Sequence, residues 1–107
     1  MEIAYEAAVL QRQPELINRG EIPELMARLY PRLLLDAGIE GETVFMFVIN
    51  PDGSVDPSSV KLVRASHEQF GAVGRQLVER FRFRPGQYQD GDVRVLVQMP
   101  VKWELPD

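Results

Sequence analysis

The sequence predicts an α+β domain. Its centre is a three-stranded antiparallel sheet of strand order 2-1-3, packed by helices, in the chain order helix, strand, strand, helix, strand. Three observations carry this. Apolar residues recur at helical spacing through residues 23–37 and again through 68–80. The period changes from helical to two at Glu42 and returns to two from Val93. A right-handed crossover from the second strand through the second helix makes the third strand parallel to the second, so the first strand fits between them.

The chain has 107 residues, of which 45% are hydrophobic and 26% charged, enough for one domain with one core. It has no Cys and a single histidine, His67. That excludes a disulfide framework, a thiolate metal site and a Cys nucleophile, and it leaves no His cluster. The longest apolar run, Val44 to Ile49, is far short of the ~20 residues that cross a bilayer. Met1 to Leu10 carries two Glu and no basic residue, so it does not read as a signal peptide.

Residues 1–20 form an extended or weakly structured arm, with Ala7 to Leu10 as a short strand or extended stretch and a turn at Pro14 to Asn18. The first helix opens near Pro23, whose missing N–H costs nothing at a first helical position. Leu25, Met26, Leu29, Leu33 and Leu34 form its apolar stripe. Pro31 removes a hydrogen bond and clashes with the preceding turn, so it predicts a kink or two abutting helices. Gly38 closes the unit in a left-handed cap. The first strand, Thr43 to Ile49, is apolar on both faces and is expected to be central and covered on each side. Asn50-Pro51-Asp52-Gly53 is a turn, and the second strand runs from Ser59 to Ala65, with Val60 and Leu62 inward and Pro57 marking an edge. The second helix spans Glu68 to Arg80, N-capped by Ser66, and buries Phe70, Val73, Leu77, Val78 and Phe81. Gly71 and Gly74 permit close packing of this helix on the sheet. The third strand alternates from Val93 to Leu105 with its odd positions buried.

Net charge is −4, which disfavours a phosphate-binding protein. Gly71-Ala72-Val73-Gly74 matches the GxxG spacing of a nucleic-acid module, but it lies inside an apolar helical stripe, so no nucleic acid is expected. Six bases and two acids fall within residues 60–84, against eight acids and four Arg in residues 1–42. Such a segment is either a docking surface for an acidic partner or the complement of the acidic half of its own domain. Exposed pairs carry little energy, which favours the second. Ser54, Ser58, Ser59 and Ser66 lack a Gly-x-Ser-x-Gly frame or a positioned base, and Asp52 and Asp56 read as solvated turn carboxylates. No enzyme activity and no cofactor or metal are expected.

An ordered set of short motifs resembles one family. Tyr30-Pro31 precedes Ala37-Gly38-Ile39-Glu40-Gly41, the strand Val44 to Ile49, and the hairpin Asp52-Gly53-Ser54-Val55. The second helix ends in Phe81-Arg82-Phe83-Arg84-Pro85, and Gly91 leads into the alternating last strand. Seven pieces at compatible spacings over residues 30–105 resemble the C-terminal domain of the energy transducer TonB, and Pro14 to Asn18 resembles the segment that leads into such domains. The resemblance implies a periplasmic protein-binding and force-relay domain, tethered to the inner membrane in the full-length protein. It implies two partners: an outer-membrane receptor that offers a peptide segment, and an inner-membrane proton-driven motor complex reached through an N-terminal anchor missing here. Monomer and homodimer both remain open. The alternative is a structural or sensory envelope domain of the same fold with no transport role.

Candidate partner-binding residues follow from the third strand, an edge in the order 2-1-3 and so a template for an added strand. Pro100 has no N–H and is tolerated only where no ladder partner is required. Even residues therefore aim their backbone outward, giving a docking rail of Arg94, Leu96 and Gln98, interrupted at Pro100 and resumed at Lys102. Arg82 and Arg84 alternate with the core anchors Phe81 and Phe83 and form a second, wet candidate surface.

Overall fold

In the computed structural model, residues 4–105 are described. The strands are Tyr5–Glu6 (β1), Glu15–Leu16 (β2), Gly41–Ile49 (β3), Lys61–Ala65 (β4), Phe83–Arg84 (β5), Gly86–Tyr88 (β6), Gly91–Val93 (β7) and Val95–Trp103 (β8). The helices are Ile22–Leu29 (α1), Arg32–Asp36 (α2) and Glu68–Glu79 (α3). Tyr30 holds an extended ψ of 124° because proline drives its predecessor out of the helical region, and Pro31, at ψ 125°, is the N-cap of the second helix. The interruption therefore yields two helices, and Gly38 follows the second with φ +69°.

The main sheet has the order β1-β8-β3-β4. Its β4-β3-β8 part is the antiparallel arrangement expected, with β3 central. The expectation of three strands is corrected, because β1 adds a fourth strand parallel to β8 and the sheet is mixed. Two small ladders also form, β2 with β5 and β6 with β7. The β6–β7 hairpin turns through Gln89 and Asp90 at φ 50° and 64°, the left-handed geometry of tight hairpin loops. Consequently the last strand does not run unbroken from Val93: Val93 belongs to β7, and β8 starts after Arg94. Within the expected N-terminal arm, Ala7–Val9 is a short 3-10 turn rather than a strand, and part of the turn expected at Pro14 to Asn18 is β2. The arm's first three residues lie outside the described residues.

All three helices contribute to a core on one face of the sheet, built on Phe45, Phe47 and Ile49 of β3 and Val101 and Trp103 of β8. Trp103 stacks on Phe70 with ring centroids 5.4 Å apart, and Tyr30 meets both rings edge-on. Trp103 Nε1 donates to Thr43 Oγ1 at 3.2 Å, and Tyr30 Oη donates to the Ile39 carbonyl at 2.6 Å, so the cluster's polar atoms are partnered.

None of the three α-helices packs on the other face, which corrects the expectation that helices cover β3 on each side. Val44 and Val48 are nonetheless buried. They are shielded sideways: Val44 lies between Arg64 and Pro100 in the ladder, and Val48 lies opposite Leu96. On β4 the register shifts between Val44 and Phe45; Leu62 pairs with Phe45 and turns toward Gly71 of α3 as expected, but at the sheet edge it stays 47% exposed. Ser66 does not cap α3. His67 holds the N-cap position without a side-chain bond, while Ser66 Oγ accepts the Glu42 N–H at 2.9 Å and pins the start of β3.

Candidate partner-docking edge

On one side β8 is paired with β3 along its whole length, from Gly41 opposite Trp103 to Ile49 opposite Val95. On the other side, among the described residues, only Tyr5 and Glu6 pair with it, at Val95 and Leu96. The Tyr5 N–H donates to the Arg94 carbonyl at 2.8 Å, so the backbone at this even position points away from β3. Because backbone direction alternates along a strand, Gln98, Pro100 and Lys102 face the same way. From Val97 to Trp103 that side has no strand neighbour among the described residues.

The rail residues therefore divide. Leu96 lies under the chain's own β1, which stacks Tyr5 on Tyr88 at 5.0 Å. Arg94 turns its side chain toward the β3–β4 connection, 3.5 Å from Asp56 and 3.5 Å from the Asn50 side-chain oxygen. Gln98 and Lys102 stand exposed on the open stretch. Arg82 and Arg84 lie elsewhere, on and beside β5. Arg84 pairs with Glu15 at 2.9 Å, and the Arg82 guanidinium donates to the Glu79 and Phe81 carbonyls at the end of α3.

One residue that the sequence left unassigned, Asn18, holds this region together. Asn18 Nδ2 donates to the Arg80 carbonyl at 2.9 Å, and its Oδ1 accepts from the Arg82 N–H at 2.9 Å. That clamp fastens the segment after β2 to the end of α3. Asp52 and Asp56 are not unperturbed turn carboxylates. Bonds from the Ser54 hydroxyl and N–H hold Asp52 below the ordinary carboxylate range. The Ser58 hydroxyl and N–H, with Arg94 nearby, do the same for Asp56.

Above the open edge stands α1, and two apolar depressions lie between them. One, of about 450 Å³, is lined by Leu16, Ile22, Met26, Phe83, Met99 and Val101. The other, of about 360 Å³, is lined by Pro23, Met26, Ala27, Tyr30 and Leu35, with Lys102 of β8 and Glu104 just beyond its end. The helical spacing assigns Leu25, Met26 and Leu29 of α1 to an apolar stripe and leaves Ala27 without a role. The four-residue spacing of Pro23 and Ala27, outside the main stripe, was the available signal for a second surface.

No group of three or more His, Cys, Asp or Glu among the described residues could hold a metal ion. No helix of the described residues is long and apolar enough to cross a membrane.

Solved structures share this architecture. The C-terminal domain of TonB from Pseudomonas aeruginosa, solved by NMR, superposes with a TM-score of 0.58 at 24% identity, covering 73% of this chain and 78% of that one. The corresponding Helicobacter pylori domain, residues 194–285, superposes at 0.52 with 23% identity, covering 82% of this chain and 94% of that one. At such identities the likeness is one of fold. No curated protein sequence matches the chain. The family model for the Gram-negative bacterial TonB protein C-terminal region matches residues 26–105, which take in every motif from Tyr30-Pro31 to the last strand. The chain therefore belongs to the TonB C-terminal family of energy-transducer domains.

Proposed function

We propose that this domain is the receptor-engaging end of a periplasmic, inner-membrane-tethered energy transducer. It binds an extended segment of an outer-membrane transport receptor by strand addition and relays force to it from a proton-driven motor complex. The observation that carries this reading is the stretch of β8 from Val97 to Trp103, whose outer side is unpaired among the described residues. Backbone groups there supply affinity with little demand on the partner's side chains. Gln98 and Lys102 are its contact positions, while Arg94 and Leu96 join only if β1 gives way. Pro100 interrupts the outward N–H groups, and this keeps the edge from pairing indiscriminately with other strands.

A photo-crosslinking side chain placed at Gln98, with a second variant carrying it at Arg84, tests the reading in outer-membrane extract. Crosslinks from Gln98 to an extended periplasmic segment of a transport receptor are expected. Receptor crosslinks from Arg84 but not Gln98 would move the site to the arginine surface. No receptor adduct from either position would overturn the transport role.

A further inference from the structure

We propose that α1 and the open edge of β8 together form a two-socket reader, selecting extended segments that carry apolar side chains at alternating positions i and i+2. This rests on the strand-addition reading and deepens it, because it makes recognition depend on side chains as well as backbone.

The two apolar depressions share Met26 and Lys102, so they flank one ridge instead of opening on different surfaces. Along β8 the first is bordered by Met99 to Lys102, and the second by Lys102 and, just beyond the strand, Glu104. Their centres are thus two to three residues apart, about 7–10 Å at the rise of a strand. A strand added to β8 presents every second side chain to one face at the lower end of that interval. The face in question is the helical one, where Met99, Val101 and Trp103 also point. Its alternate side chains would therefore enter beneath α1, one on each side of Met26.

The linings set the chemistry. The walls are mostly aliphatic, aromatic and thioether groups, with Glu15, Arg19, Lys102 and Glu104 also on the linings, so an apolar side chain gains most from burial there. The occupant must at once satisfy the backbone of an open strand and fill two sockets at strand spacing. An extended peptide does both, whereas a helix would leave the edge's N–H and C=O groups unpaired. Pro23 and Ala27, exposed on the outer side of α1, then acquire a role as the wall of the second socket.

The test uses three blocked heptapeptides: Thr-Thr-Val-Thr-Val-Thr-Thr, its composition-matched isomer Thr-Thr-Val-Val-Thr-Thr-Thr, and Thr-Thr-Gln-Thr-Gln-Thr-Thr. Binding is followed by NMR at the amides of Gln98 and Lys102, in the parent chain and in Ala27→Trp, which fills the second socket from an exposed helix position. The alternating valine peptide is expected to bind about tenfold tighter than its isomer, or more, from burial of the second side chain. Ala27→Trp should erase that preference while a thermal melt shows the fold intact. Equal affinity for the two valine peptides, or a preference that survives Ala27→Trp, overturns the reader but leaves strand addition standing wherever the amides still move. No movement of those amides with any peptide overturns both.

Discussion

Replacing Gly74 and Gly71 by alanine should move stability in opposite directions, although both residues lie in α3 and both gain helix propensity. That gain is about 1 kcal/mol at each position. At each, an added Cβ would also arrive 2.7 Å from a neighbouring carbon, so something must yield. At Gly74 the neighbours are Cε2 and Cζ of Phe45, whose ring is 1% exposed and enclosed by the core. The ring cannot retreat without displacing its surroundings, and overpacking a closed core costs about 1–3 kcal/mol. At Gly71 the neighbour is Cδ2 of Leu62, on an edge strand and 47% exposed, which can change rotamer into solvent. Gly74→Ala should therefore lose about 1 kcal/mol net, and Gly71→Ala should gain up to about 1 kcal/mol. In a domain of this size 1 kcal/mol is worth about 4–8 °C, so the two melting temperatures should separate by at least about 5 °C on either side of the parent. Far-UV circular dichroism melts read this directly. A Gly74→Ala protein that melts above the parent would mean that α3 is free to lift off Phe45. An equal fall for both variants would mean that β4 is held as tightly as the core.

Phe47→Ala should cost about 3–5 kcal/mol, against a total stability of about 5–15 kcal/mol, because Phe47 is fully buried beside Phe83; a melt changed by less than a few degrees would place the side chain outside the core. Thr43→Val keeps the shape but leaves the Trp103 Nε1–H buried without an acceptor, at about 1–3 kcal/mol in a denaturant titration; an unchanged midpoint would deny that bond any net worth. Asp52 and Asp56 both sit below their ordinary 3.8 in the folded chain. Their stabilisation is therefore present above about pH 4 and lost as the pH falls through the lower folded values. The pair Asp52→Asn and Asp56→Asn together should flatten the acid limb of stability against pH, and an unaltered limb would assign acid sensitivity to other carboxylates.

What could be foreseen, and what could not, follows from the range over which each feature is encoded. Pro31 splits the first helical stretch through a clash within one turn, and β8 announces itself by nine residues of alternation, so both were legible. The strands β1, β2 and β5 are two residues long, too short for any period to show, and each exists only because a distant segment offers it a ladder. The double apolarity of β3 was read as a layer on each face. It reflects one helical layer and one set of lateral neighbours, Arg64, Pro100 and Leu96, which cover Val44 and Val48 from within the sheet. The docking edge combines both cases. Pro100 alone identifies which side of β8 faces outward, because an imino acid is tolerated opposite Val44 only if its missing N–H belongs to the free side. How far that side stays open depends on where Tyr5 and Glu6 come to rest, and what stands over it depends on where α1 settles. Neither is written in β8. A local constraint can thus give the direction of an edge, while its length and its selectivity are properties of the assembled fold.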